Sequence, residues 1–589
     1  MSKLILPAAT ALFLLLFYLG LPDLISARIS FPSTQSENEF NRSGKNTIDR
    51  KDLILIFCIT IFFGFVDFYG LGNKTSVESF YNLGGKSAVF TFDKPSVPVE
   101  TDFFTGVGYG EYTFSYSENG IDYTAAFSFT QNAGDVLRWV RYDLSVSAPV
   151  LAVRIEGTGD AWLGETAFFD DNGIIIHTTC SIPELTDEQK YICRTYDFMN
   201  SSYFDEIYHA RTAWEHLHNV YPYEISHPPL GKLIISVGIL LFGMTPFGWR
   251  FSGTLFGVLM LPVMYIFIKK LFGSRRCAVC ASVVFATDFM HYVQTRIATI
   301  DTYAVFFILL MYLFMYLFIS EGSLSALALS GLFFGLGAAS KWTCLYAGSG
   351  LAVIWTVYWI INRKKGFQAF LNNSIFCIFF FVALPCLIYY LSYLPYAWSR
   401  GIRGFFNREV LDILLANQNY MFSYHSKLVA EHPYSSVWYQ WVLNIRPILY
   451  YLQYYDDGTR SSFGAFLNPS LCWGGLLALF VLFFRAFALR EKVALFILTG
   501  YFAQLVPWMF VSRLTFEYHY FPCSVFLVLA LAYVFRLMEN ETKRGKAYPL
   551  AFAALSGALF ILFYPALSGI RVDSRLASQL LGWLPTWPF

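Results

Sequence analysis

Apolar runs about as long as a bilayer is thick recur along this chain, and basic residues stand at alternate ends of them. A helix of about 20 apolar residues crosses the hydrocarbon. The first run covers residues 4–21 and the second residues 53–69. Between them lie Arg28, Arg42, Lys45, Arg50 and Lys51. Positive charge marks the cytoplasmic side, so the second run is predicted to leave the cytoplasm. A cleaved signal peptide at residues 4–21 would put that basic loop outside, which favours an uncleaved extra helix, spanning or peripheral.

From residue 73 to residue 180 the hydrophobic period changes to two. Residues 88–92, 112–116, 123–129, 137–144 and 150–155 alternate or run apolar between Gly, Asn, Asp and Pro, which predicts a small β-sandwich. Helical periods then return. Residues 233–242 are too short to span and are expected to lie along the interface. Further runs cover 251–268, 277–293, 303–319, 324–339, 345–361, 375–394, 471–484, 493–510, 520–534 and 550–564. Basic residues follow four of them: Lys269, Lys270, Arg275 and Arg276; Arg363, Lys364 and Lys365; Arg485 and Arg490; Arg536, Lys543, Arg544 and Lys546. With these ends cytoplasmic, the set alternates consistently and gives eleven spans from residue 53, or twelve with the first. The expected division is helices at 1–72, a β-module at 73–190 and a membrane domain at 191–589.

Composition bounds the class. Of 589 residues, 56% are hydrophobic, 19% aromatic and only 14% charged, as in a polytopic membrane protein and not a soluble enzyme. A net charge of +1 gives no reason to expect a nucleic-acid partner. The ten cysteines mostly fall inside apolar runs and read as small core residues. Cys180 and Cys193 flank an outward junction and would pair if that side is oxidising.

Candidate chemistry lies at the outer ends of the spans. Residues 203–232 read YFDEIYHARTAWEHLHNVYPYEISHPPLGK. Successive helical residues diverge by about 100°, so of Asp205 and Glu206 one is expected to face a cavity and the other structure; a solvated helix face is the competing account. The double proline after His227 stops a helix and fixes how the chain re-enters the membrane. The turn QTRIATIDTY puts Arg296 and Asp301 at neighbouring span ends, and GAASKWT puts Lys341 there. A charge near the apolar zone costs about 2.5–3.5 kcal/mol toward its centre, so such groups usually line a polar cavity, with a structural salt bridge or a snorkelling lysine as alternatives. The second outer loop carries His425, His432, Trp438, Trp441 and Arg446, and PWMFVSRLTFEYHYFP carries Arg513, Glu517, Tyr518 and His519. A guanidinium offers paired donors that match phosphate oxygens.

The FDE followed by HPPLGK, together with a PW, an Arg and F-x-YHYFP, resembles the protein O-mannosyltransferases, membrane glycosyltransferases of the GT-C type. The HPYSSxWYxW run is similar to the corresponding loop of bacterial members. The resemblance covers roughly residues 205–589 and the preceding span. It implies inverting transfer of a sugar, by default mannose, from a polyprenyl-phosphate carrier to a Ser/Thr hydroxyl of proteins at the extracytoplasmic face of the plasma membrane. Asp205 is the expected base. Glu206 and Asp301 orient the site; Arg296, Arg513 and Lys341 meet the lipid-linked phosphate, with His519 beside the donor; His227 and His432 shape the loops. Protein-modifying members need no metal while some GT-C relatives do, so a divalent ion stays open. The fold implied is a polytopic α-helical membrane protein of about 11–12 spans with an inserted, jelly-roll-like β-sandwich. That module departs from the family and is similar to discoidin or galactose-binding modules, with a structural or a sugar-binding role. Transfer to a cell-surface glycan or lipid, a transporter, and a sugar-binding receptor are the alternatives.

Overall fold

The computed structural model describes residues 2–19, 47–193, 195–541 and 545–589. Arg28, Arg42 and Lys45 of the first basic loop, and Lys543 and Arg544, lie outside the described residues.

The helices are α1 (Ser2–Leu19), α2 (Arg50–Phe68), α3 (Glu206–Leu217), α4 (Leu230–Phe242), α5 (Pro246–Phe272), α6 (Arg275–Ala286), α7 (Phe289–Thr295), α8 (Asp301–Glu321), α9 (Leu324–Ser340), α10 (Thr343–Ile361), α11 (Phe367–Trp398), α12 (Arg408–Lys427), α13 (Pro469–Ala488), α14 (Lys492–Phe510), α15 (Glu517–Asn540) and α16 (Tyr548–Phe563). Among the described residues, α5, α8, α10, α11, α13, α14 and α15 are long and apolar enough to cross a bilayer. The expected span at 277–293 is a pair, α6 and α7, bent by 57°. Asp288 causes the break: its carboxylate accepts from the backbone of His291 and Asn468 (3.2 and 2.8 Å), starting a new helix where the old one ends. The runs at α9 and α16 form shorter apolar helices, and α4 keeps the short length expected of it. Helix α2 is apolar between charged ends, Arg50 to Asp52 and Asp67.

The chain forms two compact units, one of Met1–Tyr69, Ile225–Leu233 and Gly253–Phe589, the other of Gly70–Glu224 and Ile234–Ser252. Compactness thus divides the chain elsewhere than at residue 190, because α3 and the start of α5 belong with the β-module.

In that second unit two antiparallel five-stranded sheets share one core. The first runs β1 (Tyr81–Asn82), β8 (Trp162–Phe169), β3 (Glu100–Thr105), β6 (Trp139–Asp143), with β9 (Ile175–Ile176) also on β8. The second runs β10 (Thr178–Cys180), β2 (Ser87–Ser96), β7 (Val150–Asp160), β4 (Tyr109–Ser117), β5 (Thr124–Thr130). Alternation places Ala88, Phe90 and Phe92 of β2 inward, against Phe103, Phe114, Ile155 and Phe168. Cys180 and Cys193 are free thiols, against the expected pairing. Cys180 accepts from the backbone of Ile182, and Cys193 accepts from the Asn200 amide. In the first unit, the segment between α12 and α13 carries a hairpin, β11 (Ile448–Tyr454) and β12 (Thr459–Ala465), turning through Asp457 and Gly458.

Candidate active site

Asp205 immediately precedes α3, is half-buried, and makes no capping hydrogen bond with its side chain. The residue before it, Phe204, has φ 49°. An aromatic residue in the left-handed region costs about 1–3 kcal/mol and persists only where its surroundings enforce it. The enforcement is visible next door. Glu206 is fully buried and accepts two bonds from the Nε–Nη2 edge of Arg250, at 2.7 and 2.8 Å. Arg250 also donates to the carbonyls of Leu71, Phe198 and Ser201 (2.9, 2.6 and 3.0 Å) and lies 4.7 Å from the Tyr203 ring centroid. One charge thereby ties Leu71 and the 198–203 run to α5 and to the start of α3. Glu206 is thus held in a structural pair. Arg250 is a site residue that sequence reasoning passed over; a lone arginine in the first turns of an apolar helix was the available signal.

Helix α3 is also held against the β-module. Arg211 lies over the adjacent rings of Tyr109 on β4 and Tyr223 (4.7 and 4.2 Å), and bonds Glu215 at 2.8 Å. Trp214 meets Trp162 of β8 edge-on at 6.0 Å.

The other expected site residues fall in the first unit. Arg296 is not presented to a ligand in the way expected. Its Nη1 donates to the carbonyls of Val66, Asp67 and Tyr69 (3.4, 2.9 and 2.8 Å), and the guanidinium packs on Tyr292. It caps the C-terminal end of α2, where orphan carbonyls and the helix dipole favour a cation. Asp301 opens α8 and meets Lys341 at 2.6 Å, both largely buried. The Lys341 ammonium lies 5.4 Å from the Tyr518 ring centroid.

Beside this pair the second loop and the 506–520 stretch converge. His519 is buried, stacked on Trp441 (5.8 Å, 16°) and Tyr518 (4.5 Å, 21°), with the Trp508 edge at 4.3 Å. Its Nδ1 lies 2.9 Å from the Phe516 carbonyl. Lys341, Arg513 and His227 all act on it electrostatically. Arg513 is half-buried and donates to the Leu514 carbonyl at 3.0 Å. His227 bonds the Ser226 hydroxyl at 3.1 Å and meets His425 edge-on at 5.2 Å. Burial, then the charges of His227, Arg513 and Lys341, push His425 down to about 4, against its bond to the Ser226 carbonyl. His432 accepts from the Tyr434 backbone and packs on Phe516 at 5.0 Å; burial lowers it too. Ser436 and Thr515 exchange bonds of 2.9 and 2.7 Å, so the HPYSS run is laid directly along the stretch that carries Arg513.

The HPPLGK turn enters this cluster by a tight approach. Lys232 is buried and donates to the His227 carbonyl at 3.0 Å. A Cβ on Gly231 would stand 2.7 Å from Ile300, one residue before Asp301. Two motifs far apart in sequence are thus pressed together.

The assembled cluster brings together the cations Lys341, Arg513 and Lys232, the imidazoles of His227, His425, His432 and His519, and the Asp301 carboxylate, which is already paired with Lys341. Such a set recognises an anion and stabilises negative charge as it develops on oxygen. It gathers no ligand set for a divalent ion among the described residues. The acids close enough to share one, Glu165, Asp187 and Glu188, lie in the β-module's unit. They are engaged there: the Glu188 and Gln189 amides donate to Glu165, and Ser79 donates to Asp187 and Glu188.

Apolar spans with a buried cationic cluster at their ends define a multi-pass membrane protein of GT-C fold. A chain of the S. cerevisiae protein O-mannosyltransferase Pmt1-Pmt2 complex bound to the sugar donor shares that fold, with a TM-score of 0.58 and 14% identity, over 66% of this chain and 89% of that one. Residues 226–389 match the family described as dolichyl-phosphate-mannose-protein mannosyltransferase, and residues 410–587 match the C-terminal four-span region of protein-O-mannosyltransferase. The polyprenol-phosphate-mannose–protein mannosyltransferase of Mycolicibacterium smegmatis is 25% identical over 450 residues, 65% of this chain and 87% of that protein. Its Mycobacterium tuberculosis counterpart is 23% identical over 65% of this chain and 86% of that protein. The chain belongs to the protein O-mannosyltransferase family.

Proposed function

We propose that this protein transfers mannose from a polyprenyl-phosphate carrier to Ser/Thr hydroxyls of proteins, with inversion, at the extracytoplasmic face of the plasma membrane. The observation that carries the reading is the cluster of Lys341, Arg513, His519 and His227, brought together from three separated motifs into a site suited to a lipid-borne phosphate. The relatives named for this reaction support the donor.

In the proposed step Asp205 takes the proton of the acceptor hydroxyl as its oxygen bonds the anomeric carbon. The bond from that carbon to the phosphate oxygen breaks on the opposite side, and polyprenyl phosphate leaves with the electron pair. Arg513 and Lys341 stabilise the charge on the departing phosphate. Asp301 orients Lys341, and Arg250 through Glu206 positions the start of α3. Arg296 acts at a distance, by holding the end of α2.

The test is incubation of membranes containing the protein with radiolabelled polyprenyl-phosphate mannose. Label is expected in protein and to be released by alkaline β-elimination. Label confined to glycan or lipid would replace the acceptor, and carrier moved across the bilayer with no new glycosidic bond would replace the enzyme with a transporter.

A further inference from the structure

A second site lies at the opposite ends of the spans. The C-terminal ends of α8 and α10 and the N-terminal end of α14 enclose a cleft of about 530 Å³. Its lining combines polar groups with an apolar strip that includes Val353, Val357, Ile361 and Leu495, and Val353, Ile361 and Leu495 are 52%, 50% and 36% exposed. Its rim carries Lys365 and Lys492. Lys365 lies over Tyr358, its ammonium 2.7 Å from the phenol oxygen and 5.0 Å from the ring centroid, and an ammonium has three N–H donors, of which this bond uses one. The acid on the rim, Glu321, is paired with Lys270 at 3.1 Å. The cleft therefore presents two cations that pair with no acid among the described residues, above an apolar strip on a membrane-spanning surface.

We propose that this cleft holds one anionic phospholipid, the phosphate of its headgroup on Lys365 and Lys492 and the first part of its acyl chains along Val353, Val357 and Leu495. Charge complementarity selects this occupant. A zwitterionic lipid would bring a second cation to a rim that has two, and a soluble anion would leave the apolar strip wet. Basic pockets between spans bind acidic headgroups on the same principle, each lysine contributing about fivefold in affinity. The site is separate from the transfer chemistry and stands or falls without it.

The test is native mass spectrometry of the full chain released from nanodiscs of equal phosphatidylglycerol and phosphatidylcholine. One phosphatidylglycerol is expected to stay bound, preferred over phosphatidylcholine. Lys365→Ala/Lys492→Ala is expected to lose it by about 25-fold, two lysines' worth. Lys364→Ala, a neighbouring exposed lysine outside the cleft, is expected to keep it. Val357→Trp fills the cleft while leaving both lysines and is expected to lower retention as well. Equal retention of the two lipids, or full retention by the double variant, overturns the proposal. Displacement of the lipid by inorganic phosphate at matched concentration also overturns it, by making the rim a free-anion site.

Discussion

Asp205 and Glu206 are adjacent acids with opposite fates, and the difference is set by Arg250. A carboxylate buried against a guanidinium cannot take a proton without breaking a pair, and removing one partner of such a pair destabilises by about 3–5 kcal/mol. Glu206→Gln is therefore expected to lower thermal stability, whereas Asp205→Asn is expected to leave the fold and donor binding intact. Transfer by Asp205→Asn should fall by about 10² to 10⁴, the loss expected of a general base. Near-normal transfer would mean that Asp205 is a solvated helix residue. Two arginines separate in the same way. Arg513→Ala removes a charge-assisted partner of the phosphate, worth about 1.5–3 kcal/mol, and should weaken donor binding by about tenfold or more. Arg296→Ala leaves the carbonyls at the end of α2 unsatisfied, so it should lower stability and spare donor affinity; if it weakens the donor as much as Arg513→Ala, Arg296 is no mere cap. His425 supplies a pH dependence. Its folded value is depressed to about 4 from an ordinary 6.5. The unfolded chain then binds more protons in that interval, so the contribution of His425 to stability is complete above about 6.5 and is lost as pH falls toward about 4. Melting temperature followed from pH 7 to pH 4 should drop less steeply in His425→Gln than in the wild-type protein.

At the scale of elements, what the sequence made legible follows from which elements have one wet face. Strand β2 alternates because one side is solvated, and its inward Ala88, Phe90 and Phe92 could be read directly. Strand β8 is buried on nearly every residue, so it shows no alternation and was not counted among the strands. The hairpin of β11 and β12 had a strong turn signal in Asp457 and Gly458 that went unread. The site divides the same way. The HPPLGK and YHYFP motifs announced themselves, while the Glu206–Arg250 pair joins residues 44 apart and no local pattern reports it. Neither did any pattern report that β4 and β8 grip α3. If Asp205 is the base, that grip predicts a dependence of transfer on the β-module. Tyr109→Ala removes one ring from Arg211. Transfer is expected to fall severalfold with donor affinity unchanged, through looser placement of Asp205. An unchanged rate with every acceptor tested would make the module a passenger.

For the whole molecule, the two ends of single helices supply the ruler. Helix α8 begins at Asp301, in the cationic cluster, and ends at Glu321, paired with Lys270. At 1.5 Å per residue its 21 residues cover about 30 Å, the thickness of the hydrocarbon. Helix α10 repeats the measurement, starting two residues after Lys341 and ending just before Arg363, Lys364 and Lys365. The remaining basic ends converge with these: Arg276 and Arg536 share Glu539 at 3.3 and 3.5 Å, and Lys492 shares a cleft with Lys365. One face of the helical unit is therefore rich in lysine and arginine, and the candidate phosphate site lies a bilayer away from it. Positive charge is retained on the cytoplasmic side, so the transfer site is expected to open outward. The check uses a protein with Cys58 and Cys386, the exposed native thiols, replaced. Val429→Cys, in the loop that carries His425 and 96% exposed, is expected to react with a membrane-impermeant maleimide in intact cells. Lys364→Cys is expected to react only after permeabilisation. The reverse pattern would put the phosphate site in the cytoplasm, where a lipid-linked sugar donor has no advantage over a soluble nucleotide sugar, and would remove the reason for a polyprenyl carrier.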